Sequence, residues 1–453
     1  MSMTEHAEYR LAMILPRSRQ LLGIKNHSSI DLPIVSIPLW ERPAEQLTQQ
    51  IDKQWNVRTI LLDILAGSIT TLPCAVVEVL TASWNYANVG FSSVPLEEVS
   101  QRSVVDDQRC ALGAILATGN EDIGHFSRIG WADEAKQWIR GSLPERDITF
   151  NEDIRQLNGS GPFVLVRFGT RQGTGYWLKA TDSKETCEFH TTSVLARYFP
   201  QFLPPILATR RDWNAWVTEE AGTSLRGNLS LRSAKQAVAA LASLQIESTQ
   251  HTQRLVEAGF LQHDIQVLHS HIDELVDYLA LAMQQQASVR VERLNRGQLQ
   301  ALRGALDDAC CQMRSCDVPP SLMHGDINPG NILLDGARCT FIDWAEAWIG
   351  NPFLTFEHLI AHISRGSELA ADWIPSLRIL YRQQWSGWMA ESSLDTALKV
   401  APLLAVASYL YGRGDWLRSP VRDDPGFQAQ ARSLARLMYR ISQPATLKEA
   451  PCH

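Results

Sequence analysis

His324-Gly325-Asp326-Ile327-Asn328-Pro329-Gly330-Asn331, followed after an apolar stretch and a turn by Phe341-Ile342-Asp343-Trp344, decides how this chain is read. Asp326 has the residue type to accept a proton. Asn331, after Pro329-Gly330, offers a neutral amide oxygen at a point where the backbone can turn sharply. Ile332-Leu333-Leu334 reads as a short buried strand, Asp335-Gly336 as a two-residue turn, and Cys339 to Ile342 as the returning strand of a hairpin. That hairpin delivers Asp343 beside Asn331.

One base and two hard oxygen ligands in this order are what phosphoryl transfer from ATP requires. Magnesium keeps several waters, so one carboxylate, one amide and the nucleotide phosphates suffice, and no histidine or cysteine cage is needed. Taken alone, Asp326 could equally cap a turn, and Asp-Gly hairpins are common. The ordered set of His324, Asp326, Asn331 and Asp343 around a hairpin is what separates the two readings. His324 is expected to brace the loop backbone rather than to act as acid or base.

The HGD-x4-N and IDW segments resemble the catalytic and metal-binding motifs of the aminoglycoside phosphotransferase and choline kinase family, small-molecule relatives of the protein kinases. The resemblance implies Asp326 as catalytic base, Asn331 and Asp343 as magnesium ligands, and ATP as donor. It also implies an α+β, two-lobed, protein kinase-like fold, with a small antiparallel-sheet N-lobe and a mainly helical C-lobe. There is one departure: where the family carries an Asp after Gly-x-Pro, Gly350-Asn351-Pro352-Phe353-Leu354 leads here to Thr355. That Asp is read as structural.

The motif calls for a nucleotide half upstream. Pro162 to Phe168 reads as a strand, Gly169 to Gly175 as a turn, and Tyr176 to Ala180 as the returning strand carrying Lys179, the candidate partner of the α- and β-phosphates. Before them, Asn158-Gly159-Ser160-Gly161 reads either as a phosphate-approaching loop through Gly159 and Ser160 or as an ordinary loop. Asp182 with Glu185 suggests a capping box opening a helix to about Phe199. Glu188 shares a face of that helix with Thr191, Leu195 and Phe199. A carboxylate on an apolar face needs a cation, and Lys179 is the obvious one, although a solvated surface charge is the alternative. Thr218 to Glu220, at the end of a strand entering Ala221-Gly222, are assigned by the resemblance to the hinge that bonds the adenine.

The 453 residues suggest roughly two to four domains. Hydrophobic residues make up 45% and charged ones 20%, the balance of a globular protein. A net charge of -7 argues against a generic nucleic-acid-binding surface. The cysteines show no CxxC spacing and read as reduced thiols, which with no visible signal peptide suggests cytoplasm. The apolar stretch Ala401 to Tyr411 is too short to span a bilayer, so no membrane partner is expected.

Residues 151–222 are expected to form the N-lobe and hinge, 223–445 the C-lobe, 104–150 a helical connector, and 1–103 an extra α/β domain. In the last, Tyr9 to Leu15, Gln20 to Ile24 and Cys74 to Leu80 read as strands and Ala44 to Trp55 as an amphipathic helix. The order resembles a Nudix domain. Nudix hydrolases use clustered helix glutamates, whereas Gln49-Gln50-Ile51-Asp52-Lys53 supplies mostly amides and an ammonium. Such groups cannot assemble an anionic magnesium site, which argues against a pyrophosphate hydrolase. Trp131 and Trp138 are expected to anchor the connector.

Helical periodicity dominates from Leu231 onward. Glu346, Glu357, Asp372, Asp415 and Trp416 could line an acceptor pocket, or be surface and core. The expectation is an ATP- and magnesium-dependent phosphotransferase acting on a small-molecule hydroxyl. The alternative is a nucleotide-binding regulator, pseudokinase-like, whose N-terminal domain binds a partner or effector.

Overall fold

A computed structural model describes residues 6–26, 29–39, 42–68, 71–81, 83–117, 123–160, 163–181, 188–366, 369–412 and 420–443. The chain divides into two compact units, Met1–Phe189 with Pro205–Glu220, and His190–Pro204 with Ala221–His453. The fold is α+β: the first unit carries two sheets, one of them wholly antiparallel, and the second unit is mainly helical.

In the first unit, β1 (His6–Leu15), β2 (Gln20–Asn26), β3 (Ser29–Asp31), β4 (Ile34–Pro38), β5 (Thr59–Leu65), β6 (Cys74–Val79) and β7 (Phe91–Val94) make one sheet of seven strands. Its centre is the parallel pair of β1 and β6. Helix α1 (Pro43–Trp55) buries Ala44, Leu47 and Ile51 against one face, the i, i+3/i+4 stripe that its sequence shows. Asp52, in the stretch compared with the Nudix helix, is ion-paired to Arg58 at 3.0 Å. Helices α2 (Asp106–Leu116) and α3 (Trp131–Ser142) follow.

The second sheet of this unit is wholly antiparallel, in the order β11-β12-β10-β9-β8, with β8 (Phe150–Ser160), β9 (Phe163–Thr170), β10 (Gly175–Ala180), β11 (Ile206–Arg210) and β12 (Ala215–Glu219). One apolar cluster joins Ile14, Ile60 and Val76 of the first sheet to Trp131 and Ile139 of α3 and to Val164, Val166 and Leu178 of the second. Trp131 is fully enclosed in it, and Trp138 packs at its margin, 6.2 Å from the Trp213 ring. A buried glutamine stitches the sheets polar atom to polar atom. Gln156 Oε1 accepts from the Leu61 N–H at 2.7 Å, and its Nε2 donates to the Leu61 carbonyl at 3.0 Å. The amide thus mimics a strand neighbour at the bulge between Leu61 and Asp63, satisfying backbone groups that would otherwise be costly to bury.

Glu78 is the exception in this core. It is buried on β6 and accepts the Gly130 N–H at 2.8 Å ahead of α3. Burial pushes its carboxyl up from an ordinary 4.5 to about 7, the Gly130 bond opposing the rise. A carboxyl raised on folding contributes fully below its unfolded value and loses that contribution as pH climbs through the folded one. Glu78→Gln is therefore expected to leave the thermal midpoint unchanged near pH 4.5 and to stabilise by on the order of 2–3 kcal/mol at pH 8. Calorimetry at the two pH values checks this, and an equal effect at both would refute it.

Helix α4 (Glu188–Tyr198) begins in the first unit and continues into the second. Its expected capping box, Asp182 with Glu185, lies outside the described residues. The second unit is built on α5 (Leu231–Ser248), α6 (Thr252–Glu257), α7 (Ile265–Ser270), α8 (Ile272–Gln284) and α9 (Arg296–Arg314), then α10 (Pro352–Gly366), α11 (Ala370–Trp385), α12 (Glu391–Gly412) and α13 (Pro425–Ser442). Reciprocal capping boxes at Ser230/Ser233 and Asn295/Gln298 start α5 and α9. By length and composition Glu391–Tyr411 could cross a membrane, but Leu394, Ala397, Ala401, Leu404 and Leu410 are wholly buried in the helical core. Short strands β13 (Thr223–Ser224), β14 (Gln262–His263), β15 (Ser321–Met323), β16 (Ile332–Asp335), β17 (Arg338–Phe341) and β18 (Trp348–Gly350) form two three-stranded sheets that carry the motif.

Candidate active site

Strand β15 feeds directly into His324, and the chain then turns through the 3-10 segment Pro329–Asn331 into β16. The expected hairpin forms with its turn one residue later, at Gly336-Ala337 rather than Asp335-Gly336: Asp335 still pairs with Arg338, Ile332 stands opposite Phe341, and Gly336 takes φ +55°. Asn331 Nδ2 donates to the Asp326 carbonyl at 2.9 Å and to Asp326 Oδ2 at 3.2 Å. Both partners are acceptors only, so the amide is oriented unambiguously and its Oδ1 is left to face a cation. Among the described residues no donor reaches Asp326 Oδ1, the oxygen that remains for an acceptor proton.

The carbonyl of Asn331 accepts the Ile342 N–H at 3.0 Å, which sets Asp343 beside it in the chain's hairpin geometry. Asp343 has φ +69°, a left-handed conformation that Asp tolerates better than most side chains. His324 is buried and its Nε2 donates to the Ile342 carbonyl at 2.9 Å, while its ring lies 4.4 Å from that of Trp344. The imidazole thus ties the loop of Asp326 to the residue preceding Asp343. This is the bracing role expected of it.

Gly325 is explained by crowding. A Cβ there would meet the Glu346 carbonyl at 2.2 Å and the Trp348 ring at 2.8 Å. Thr355, in the place of the family's Asp, is buried on α10 and turns its hydroxyl to Met323 Sδ at 3.3 Å, against the strand leading into the motif. Arg226, just after β13, donates to Asn328 Oδ1 at 2.9 Å, and Ser224 Oγ donates to the Pro329 carbonyl at 3.0 Å. Nothing in the local sequence pointed to these two residues, because their partners lie about a hundred positions away.

In the first unit, Lys179 on β10 and Glu188 at the start of α4 form an ion pair of 2.5 Å, with side chains 14% and 3% exposed. The Lys179 ammonium also lies 5.9 Å from the centre of the Trp216 ring. A carboxylate so buried needs this partner, as its place on an apolar helix face implied.

One expectation shifts here. Asn158 to Ser160 are no loop: they end β8, with Gly159 opposite Val164 and Ser160 opposite Phe163. As the last strand of its sheet, β8 pairs on one side only, so its polar sequence hid a strand. Gly159 lacks a side chain because Gln156, turned toward Leu61, occupies that space: a Cβ would meet its Nε2 at 2.1 Å. Thr218 lies within β12, opposite Trp177, and the Glu220 N–H is committed to the Gly175 carbonyl while its carboxylate pairs with Arg167 at 2.9 Å.

Of the acceptor-pocket candidates, Glu357 is buried and held by both guanidinium nitrogens of Arg378, Asp372 is exposed, and Asp415 and Trp416 lie outside the described residues. Among the described residues no cluster of three or more His, Cys, Asp or Glu could hold a metal. The donor set at the motif, an amide oxygen and a carboxylate, instead suits magnesium completed by phosphate oxygens and water.

A family model, the phosphotransferase enzyme family (APH), matches residues 208–387, a span that holds the whole motif. That segment is similar to the phosphotransferase enzyme family. Among solved structures, the GDP complex of aminoglycoside 2'-phosphotransferase-IIIa is 14% identical over 68% of this chain and 98% of its own, with a TM-score of 0.43. A choline/ethanolamine kinase family protein from Mesorhizobium loti is 14% identical over 70% and 96%, with a TM-score of 0.44. Macrolide 2'-phosphotransferase type I is 16% identical over 67% and 96%, with a TM-score of 0.41. No curated protein matches the chain in sequence.

Proposed function

We propose that the protein transfers the γ-phosphoryl group of ATP to a hydroxyl of a small molecule. The observation that carries this reading is the bonding of Asn331 to Asp326, which presents one amide oxygen for magnesium and leaves one carboxylate oxygen for the acceptor's proton. Bound magnesium neutralises phosphate charge, and Asn331 and Asp343 are the residues that hold it. Lys179, fixed by Glu188, binds the phosphates; Gly159 and Ser160, at the end of a strand, and Thr218 and Glu220, through the main-chain groups that the sheet leaves over, are assigned to the rest of the nucleotide. Residues 1–103 and the connector 104–150 support the N-lobe without hydrolytic chemistry of their own. A purely regulatory nucleotide sensor is disfavoured, because Lys179, Glu188, Asp326, Asn331 and Asp343 are all retained.

Purified protein with magnesium-ATP and a panel of small alcohols is expected to give acceptor-dependent ADP and a phosphorylated product by mass spectrometry. Asp343→Asn is expected to weaken nucleotide binding in magnesium by about tenfold or more, for loss of one charged ligand, while binding in EDTA stays the same. Equal affinities with and without magnesium in the parent protein would overturn the metal assignment.

A further inference from the structure

Helix α10 packs against the turn Pro329–Asn331, its last turns carry His362, which feels the charge of Asp326, and an Arg365 guanidinium nitrogen lies 3.4 Å from His362 Nδ1. A Cβ at Gly366 would lie 2.8 Å from Leu229, so the end of α10 also meets the segment that carries Arg226. Arg226 in turn reaches the motif itself, 2.9 Å from Asn328 Oδ1 and 3.0 Å from where a Cβ at Gly330 would sit. Both arginines are exposed, and His362 is partly buried.

Among the described residues, positive charge gathers around His362. Burial is the main cause that lowers His362 to about 4, followed by the positive charge of Arg365; His358 and Arg226 act the same way, and among the described residues Asp326 is the carboxylate that opposes them. His362 is therefore neutral at working pH. An Arg365 guanidinium nitrogen lies 3.4 Å from its Nδ1, and guanidinium only donates, so the hydrogen sits on Nε2. The carboxylate of α10 closest in sequence, Glu357, is occupied by Arg378. Glu346 backs onto Gly325 through its carbonyl and Cβ. A cationic acceptor needs converging carboxylates, whereas among the described residues two guanidinium groups stand by the turn that follows Asp326, Arg226 against Asn328 and Arg365 against His362.

We propose that the acceptor carries an anionic group, a carboxylate or a phosphate, beside its reactive hydroxyl, and that Arg226 and Arg365 hold it next to Asp326. The inference rests on the phosphotransferase reading and narrows its substrate class. Arg suits both anions through paired N–H donors. In the transfer, the hydroxyl oxygen bonds the γ-phosphorus as the bond from that phosphorus to the β–γ bridging oxygen breaks. ADP leaves with the electron pair, the hydroxyl proton passes to Asp326, and the anionic group is unchanged.

Full-length protein is assayed with magnesium-ATP and four acceptors: glycerate, glycerol 3-phosphate, glycerol and ethanolamine. One of the two anions is expected to exceed glycerol and ethanolamine in kcat/KM, which also tells carboxylate from phosphate. Arg226→Gln and Arg365→Gln are each expected to cut that advantage about tenfold through KM, the loss of one charge-assisted contact. Should all four turn over too slowly, the His362 ring signal in protein saturated with magnesium-ADP is followed by NMR. Glycerate or glycerol 3-phosphate is expected to shift it saturably in the parent and about tenfold more weakly in either variant. Preference for ethanolamine, no shift with either anion, or variants that match the parent overturn the proposal. Failure of magnesium-ADP to bind at all would instead sink the phosphotransferase reading itself.

Discussion

Asp326→Asn is expected to lower turnover by about 10²–10⁴-fold, the usual contribution of a general base, with magnesium-nucleotide affinity retained. The substitution is close to silent in shape. An asparagine at this position still offers a side-chain oxygen to the Asn331 Nδ2, now 3.2 Å from Asp326 Oδ2, and the main-chain bond from Nδ2 to the Asp326 carbonyl at 2.9 Å is untouched. Asn331 therefore stays oriented. What disappears is the basic oxygen that takes the acceptor's proton. Turnover by ADP release and nucleotide affinity by titration calorimetry separate the two effects, and near-parental turnover would remove Asp326 from the chemistry.

The largest effect on stability is expected at Arg378→Ala, which should cost the C-terminal unit roughly 3–5 kcal/mol at neutral pH, as for other broken buried ion pairs. Glu357 is 5% exposed on α10 and is gripped by both terminal nitrogens of Arg378 on α11, at 2.5 and 2.6 Å. Even so, burial outweighs the arginine and holds the Glu357 carboxyl above its usual range. Removing the guanidinium takes away the interaction that lowers it, so the carboxyl rises further. The sign follows: a carboxyl raised on folding destabilises as pH increases through its folded value, so the loss must be larger at pH 8 than at pH 5. Next to this pair, the Phe356 and Tyr381 rings stack at 3.8 Å and bury the same helix contact. Denaturant midpoints at both pH values test it, and Glu357→Gln combined with Arg378→Met should recover much of the loss. A pH-independent penalty would mean that packing, not charge, is what Arg378 supplies.

The motif was legible in the sequence because its pieces act locally. A two-residue turn between short apolar strands fixes the hairpin, and Pro329-Gly330 fixes the sharp entry, so Asn331 and Asp343 had to come together on one hairpin. The Lys179–Glu188 pair was legible for a different reason: a carboxylate on an apolar helix face has few cations to choose from. Strand β8 was not legible along its length, since an edge strand can expose polar residues on its unpaired side, and Asn158-Gly159-Ser160 has a loop's composition. Strand β5, whose apolar residues Ile60, Leu61, Leu62, Ile64 and Leu65 are interrupted only by Asp63 at the bulge, carried no alternation to mark it.

The residue types and order from His324 to Asp343 by themselves determined the phosphate chemistry that this chain can attempt. Only the tertiary structure decided why Gly325 has to be glycine, which depends on Glu346 and Trp348 crossing it, and why Gln156 is buried, which depends on a bulged strand far away in sequence. It also decided which side chains gather around the turn that follows Asp326. Arg226 and the α10 residues His362 and Arg365 come from two segments far apart in sequence, and packing of α10 on the turn Pro329–Asn331, with no trace in local periodicity, gathers them near that turn.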